Sequence, residues 1–177
     1  AATWVASVGP VHDGSDQEIF YHDIPAQKTT RLTDNGAIDS DPRVSGARVA
    51  WRSLVGDEMQ VFVYDRTSGV TTRLSWESTS NREVSLNGGM VAWIGNPPKP
   101  PTSWDFLPRV YLYDLEKGRL ETVPAELPAG ATQHFIGTAV LGDGLLAYTW
   151  AGDGKEHLTV YDPATAESTD FVDDWLS

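Results

Sequence analysis

The chain has 177 residues, and 40% of them are hydrophobic, enough for one domain with a real core and too apolar for default disorder. It carries 13 Lys and Arg against 25 Asp and Glu, a net charge of −12 that repels phosphate backbones and anionic bilayers and so speaks against nucleic-acid binding or membrane insertion. It has no cysteine, which excludes disulfides, zinc–thiolate sites and thiol nucleophiles.

No stretch approaches the length of a membrane span, and no charged-then-apolar leader opens the chain. Ala1-Ala2-Thr3 begins inside a strand pattern, as at a processed or cut terminus. In the first unit the extended runs are 3–8, 19–22 and 29–32. The second unit is the clearest. Asp41-Pro42-Arg43-Val44 (run a) leads through the turn Ser45-Gly46 to Arg48-Val49-Ala50-Trp51 (run b). Val61-Phe62-Val63-Tyr64 (run c) leads through Thr67-Ser68-Gly69 to Thr71-Thr72-Arg73-Leu74 (run d). Short runs rich in β-branched and aromatic residues, punctuated by Gly, Ser and Asp, read as antiparallel hairpins. The third unit repeats the plan at 83–86, 90–93, 110–113 and 120–123, and the fourth at 135–141, 145–150, 158–161 and 168–171. The first unit lacks its run a. No 3.6-residue apolar periodicity lasts long enough for a helix.

One phrase marks the period. Tyr21-His22-Asp23, Tyr64-Asp65, Tyr113-Asp114 and Tyr161-Asp162 recur at Asp-to-Asp steps of 42, 49 and 48 residues. Four-stranded units repeated at this period are the blades of a β-propeller. The expected fold is all-β: a propeller-like array of four antiparallel four-stranded blades, the first lacking its inner strand. The ring is either four-bladed or part of a larger propeller. One domain covers 1–177, with units near 1–33, 34–75, 76–123 and 124–172. A terminal repeat with an apolar face needs a cap. The tail 172–177, a larger chain, or a second copy making a homodimeric eight-bladed ring would each supply one.

The segments Asp39-Ser40-Asp41-Pro42-Arg43-Val44-Ser45-Gly46-Ala47-Arg48-Val49-Ala50-Trp51, Val61-Phe62-Val63-Tyr64-Asp65 and Gly69-Val70-Thr71-Thr72-Arg73-Leu74 resemble the TolB-type family of propeller repeats, related to the WD-repeat group. That resemblance implies a propeller of the kind found in periplasmic scaffold proteins, peptidase-associated domains and secreted bacterial proteins. It therefore implies an extracellular or periplasmic setting. It implies no particular activity.

Strand parity places the a–b and c–d turns at one end of each blade and the b–c loops and d-to-a linkers at the other. The first set is short. The second, expected at 9–17, 34–40, 76–82, 96–108, 124–133 and 151–156, is longer and more varied, and long loops on a rigid scaffold usually carry function. Three constellations fall there. The insertion Asn96-Pro97-Pro98-Lys99-Pro100-Pro101-Thr102-Ser103-Trp104-Asp105-Phe106-Leu107-Pro108 is stiffened by proline, so Trp104 and Phe106, with Asp105 between them, either face a sugar ring or a protein partner or fold back between blades. The loop Asp34-Asn35-Gly36-Ala37-Ile38-Asp39-Ser40-Asp41 offers Asp34, Asp39 and Asp41 as oxygen ligands for Ca²⁺, or else makes Asp-stabilised turns. His12-Asp13-Gly14-Ser15-Asp16-Gln17-Glu18 reads as a metal loop, a His/Asp acid–base pair or a polar hairpin loop.

No Gly-x-Ser-x-Gly elbow, phosphate-cradling Gly-rich loop or His-Glu-x-x-His helix is present. The Tyr-Asp pair recurs in three units, with His22-Asp23 in the first, and recurrence in every blade argues for structure: Tyr between sheets, Asp accepting backbone bonds at the c–d turn. The leading functional expectation is a non-catalytic scaffold that binds a protein or glycan. The alternative is an enzyme domain or enzyme-associated propeller acting on polysaccharide or peptide.

Overall fold

The computed structural model describes residues 4–11, 16–76, 78–97, 108–123, 135–152 and 154–173, with backbone alone for 4–11, 16 and 173. Among the described residues, fifteen strands form four separate antiparallel sheets. The first sheet is β1 (Trp4–Val11), β2 (Asp16–Asp23) and β3 (Lys28–Arg31). The second is β4 (Asp39–Ser45), β5 (Arg48–Val55), β6 (Glu58–Asp65) and β7 (Val70–Arg73). The third is β8 (Thr79–Asn87), β9 (Met90–Asn96), β10 (Arg109–Asp114) and β11 (Arg119–Val123). The fourth is β12 (Phe135–Gly142), β13 (Leu145–Gly152), β14 (Lys155–Asp162) and β15 (Glu167–Asp173). Every sheet is a meander in chain order, and the first has three strands, as its missing run a foretells.

The sheets stack face to face, so a strand in a middle sheet is covered on both sides and reads as nearly continuous hydrophobic sequence, as in Val91-Ala92-Trp93-Ile94. One face of each middle sheet meets the sheet before it and the other meets the sheet after it. Ile19 of the first sheet packs with Val49 and Trp51 of the second. Ala50, Val61, Val63 and Leu74 of the second pack with Val84, Val91, Trp93 and Tyr111 of the third. Ile94, Val110, Leu112 and Val123 of the third pack with Ile136, Leu146 and Tyr148 of the fourth. The inner strands β4, β8 and β12 lie next to one another in that order, and β1 lies against β4 where the first sheet has no inner strand.

The Tyr-Asp phrase does what its recurrence suggests. Tyr21 and Tyr64 stack with centroids 6.4 Å apart across the first junction. Asp65 Oδ1 accepts from the Thr67 amide at 2.7 Å, Asp114 Oδ1 from Glu116 at 2.9 Å, and Asp162 Oδ1 from Ala164 at 2.8 Å. Each c–d turn is a four-residue loop, from the pair Asp65↔Val70 to Asp162↔Glu167. Its last residue is left-handed in every sheet: Gln27 (φ 49°), Gly69 (71°), Gly118 (63°) and Ala166 (59°).

Two loops are shorter than the sequence suggests. Gly152 pairs with Lys155, so 151–156 is a tight hairpin end and not a long loop. Val11 pairs with Asp16, which leaves only 12–15 between β1 and β2. In the fourth sheet the polar residues that read as loop, Lys155 and Glu156, are exposed at the strand end.

Candidate functional site

The b–c connections and the d-to-a linkers do share one rim. The Leu54 amide donates to Ile38 O at 3.0 Å, which ties the end of β5 to the 32–38 linker. Thr79 pairs with Asn96, so β9 ends on the rim beside the linker between the second and third sheets. Glu58 Oε2 accepts from the Ser80 amide at 2.7 Å, joining the β5–β6 turn to that same linker.

Beneath this rim, the first two junctions are closed by small polar clusters. At the first, the Ile19 amide donates to Thr33 Oγ1 at 2.8 Å, and Glu18 Oε1 accepts from Arg31 Nη2 at 2.8 Å and from the Asn35 amide at 2.9 Å. Asn35 Nδ2 donates to Asp39 Oδ2 at 3.2 Å. At the second, the Val61 amide donates to Ser75 Oγ at 2.8 Å, and Ser75 Oγ donates to Gln60 Oε1 at 2.5 Å. Asn81 Nδ2 donates to Met59 O at 2.7 Å, and Trp93 Nε1 donates to Ser78 Oγ at 3.0 Å. Burial pushes the Glu18 carboxyl up, but hydrogen bonds from Thr33, the Asn35 amide and Arg31 outweigh it and hold the group below its ordinary value.

The acidic loop is divided between these partners. Asp39 is fully buried and bonded to Asn35. Asp34 is largely exposed and pairs with Arg31 at 2.9 Å. Asp41 pairs with Arg52, whose other amine reaches Asn81 O at 3.1 Å. Among the described residues, no group of three or more His, Asp or Glu is placed to hold a metal ion. His12, Trp104, Asp105 and Phe106 lie outside the described residues, although the strands that carry the last three, β9 and β10, end and begin on this rim.

One rim residue escaped the sequence reading. Trp76, in the linker after β7, is 67% exposed. Its Nε1 donates to Arg73 O at 3.0 Å, and the Arg73 guanidinium lies 4.0 Å from its ring centroid. The indole is thus held in place on one side and presented to solvent on the other. A rigid, exposed tryptophan loses little entropy on binding, which is what an anchor requires. Its signal in the sequence is faint: a single Trp following Leu74-Ser75, with no repeat of it in the other units.

A second constellation lies in the fourth sheet. His157 stacks on Trp150 with centroids 3.6 Å apart, and its Nδ1 is 2.7 Å from Asp170 Oδ2. Asp170 Oδ1 accepts from Thr159 Oγ1 at 2.9 Å, which in turn accepts from Trp150 Nε1 at 3.0 Å. A cavity of about 550 Å³ opens beside this network, lined by Phe135, Trp150, His157, Leu158, Phe171 and Val172. Sequence reasoning missed the pair because His157 and Asp170 meet only through the β14–β15 register, Thr159↔Asp170.

No family model matches the chain, and no curated protein matches it in sequence. Solved structures do resemble it. TolB from Acinetobacter baumannii superposes over 97% of this chain and 41% of its own, with a TM-score of 0.62 and 17% identity. Porphyromonas gingivalis dipeptidyl peptidase 4 does so over 97% and 31%, at 0.67 and 12%. An oligogalacturonate lyase from Vibrio parahaemolyticus does so over 99% and 63%, at 0.53 and 12%. The chain spans less than half the length of the first two. At such identities the likeness is one of fold, and the fold is the β-propeller, with TolB among the structures that share it.

Proposed function

We propose that this chain is a non-catalytic recognition scaffold that holds a protein or glycan partner on the rim of b–c loops and d-to-a linkers. The observation that carries the reading is Trp76, braced by Arg73 and presented on that rim. Trp104, Asp105 and Phe106, in the connection between β9 and β10, and His12, in the connection between β1 and β2, are proposed as further binding residues. Asp34, Asp39 and Asp41 are assigned to framing the rim through Arg31, Asn35 and Arg52 in preference to calcium ligation. The buried polar clusters below keep the rim rigid, which lowers the entropy cost of binding. The net charge of −12 favours a partner other than nucleic acid, and the resemblance of the repeat segments to the TolB-type family favours an extracellular or periplasmic setting. Panning the chain against a peptide-display library and a glycan array supplies the test. Binders are expected to lose at least about tenfold in affinity on Trp76→Ala or Trp104→Ala, and retention by both variants would remove the rim from the reading.

The second reading, an enzyme-associated propeller, draws on the His157–Asp170 pair and on the peptidase and lyase among similar folds. Peptide or oligogalacturonate turnover abolished by His157→Ala would favour it.

A further inference from the structure

The fourth sheet carries on its outer side the same apolar code that the other sheets bury against a following blade. In the β10–β11 pairing, Leu112 opposes Glu121 and Val110 opposes Val123. In the β14–β15 pairing, Val160 opposes Thr169 and Leu158 opposes Phe171. Leu158 therefore stands where Val110 and Val61 stand, and Phe171 where Val123 and Leu74 stand. Those four equivalents are 0%, 0%, 2% and 3% exposed, whereas Leu158 is 42% and Phe171 55%. Val140 and Leu145, on the same side of the sheet, are exposed as well. A contiguous apolar face of this kind on a stacked repeat marks a surface that takes another repeat.

The observed junctions define what such a face accepts. The second and third sheets each offer a third strand with an aromatic pair, Phe62 and Tyr64 in one and Tyr111 and Tyr113 in the other. Among the described residues, one more strand carries an aromatic pair at that register. On β2, Phe20 opposes Arg31 and His22 opposes Thr29, as Phe62 opposes Arg73 and Tyr64 opposes Thr71 on β6. Phe20 and His22 are only partly buried. The open code and its complement thus sit on the fourth and first sheets, at opposite ends of the same stack.

We infer that the fourth sheet's open face docks the first sheet of a second copy of this chain. Two copies related by a two-fold axis make that contact twice and close an eight-sheet ring. The net charge of −12 opposes the approach, so raising salt tightens the dimer.

Light scattering after size exclusion tests this on the 177-residue chain. The expected mass is twice 19.3 kDa. Leu158→Asp and Phe171→Asp, at exposed sites that leave far-UV circular dichroism unchanged, are expected to give monomers, and so is Phe20→Asp. Mixing Leu158→Asp with Phe20→Asp is expected to restore a dimer, because one intact face of each kind remains. A wild-type monomer at high micromolar concentration would overturn the proposal and leave the face to a blade of another chain. A dimer that survives Phe20→Asp would overturn it too, since that pattern means fourth sheet against fourth sheet.

Discussion

Glu18 in the first sheet stands where Gln60 stands in the second: each precedes a strand amide, of Ile19 or Val61, that donates to a linker hydroxyl, of Thr33 or Ser75, at 2.8 Å. The same fastener closes both junctions, once with a carboxylate and once with an amide. The carboxylate form carries Arg31 with it. Glu18→Gln copies the second junction into the first but removes one of the two carboxylates that Arg31 pairs with, Asp34 being the other. It is expected to cost about 1.5–3 kcal/mol, the range for a hydrogen bond to a charged group, read from urea denaturation.

Acid should unfold this protein through a small set of carboxylates. Asp65 is held below its ordinary value by the Thr67 amide, against a burial effect, with help from Arg48 and the Ser68 amide. Asp114 is held down by the Lys117 amide, then by the Lys117 ammonium and the Glu116 amide. Glu18 behaves likewise. Because the folded values lie below the unfolded ones, the unfolded chain binds these protons more tightly. The stabilisation is complete above the ordinary carboxylate range, about pH 5, and drains as pH falls through the depressed values below about 4. Melting temperature against pH is expected to be flat from neutrality to that range and steep beneath it. The double variant Asp65→Asn, Asp114→Asn should flatten the acid limb.

Ala166 (φ 59°) occupies the left-handed position that Gly69 and Gly118 fill in other c–d turns. An L-residue with a Cβ is strained there by about 1–2 kcal/mol. Ala166→Gly is therefore expected to stabilise by about 0.5–1 kcal/mol, and Gly69→Ala to destabilise by a similar amount. Chemical denaturation of the two variants measures both signs.

Gly95 is where the rim's close packing is least forgiving. A Cβ at this site would lie 2.5 Å from Asn81 Oδ1 and 3.0 Å from Ser78 Cβ. Gly95→Ala is expected to destabilise by about 1–3 kcal/mol through overpacking. Trp93→Phe should cost about 1–3 kcal/mol. It loses the bond to Ser78 Oγ and leaves space beside Tyr111, whose ring stacks on Trp93 at 5.6 Å.

Calcium is expected to do little. Asp34 and Asp41 already pair with arginines and Asp39 with Asn35. Adding calcium or a chelator should therefore move Tm by less than about 1 °C. A larger calcium-dependent rise would restore the loop as a metal site.

The fold was legible because the Tyr-Asp phrase has a fixed local role, in which the Asp caps a four-residue turn and the Tyr fills a sheet junction. Local roles leave local patterns. The strand ends were less legible, since the bulges in β4, β8 and β12 let polar residues such as Asp39, Thr79 and Asn81 belong to strands. Gly152–Lys155 pairing, in a ladder without a bulge, hid behind a loop-like composition. The candidate site was legible only in outline. Parity found the rim, but Trp76 owes its role to a ring contact with Arg73, and Glu18 to a cluster assembled between the first sheet and its linker. Neither leaves a spacing in the sequence. The exposed code at Leu158 and Phe171 likewise looks ordinary until a neighbouring sheet is missing from in front of it.

The rim account is tested most directly by comparing the two ends of the blades with one binder. Dissociation constants for a peptide or glycan captured by the wild-type chain would be measured on Trp76→Ala, at the loop-bearing end, and on Lys117→Ala, at the short-turn end. The account expects Trp76→Ala to weaken binding by about thirtyfold, as for the truncation of an anchoring aromatic, and Lys117→Ala to leave it unchanged. Weakening by Lys117→Ala alone would contradict it.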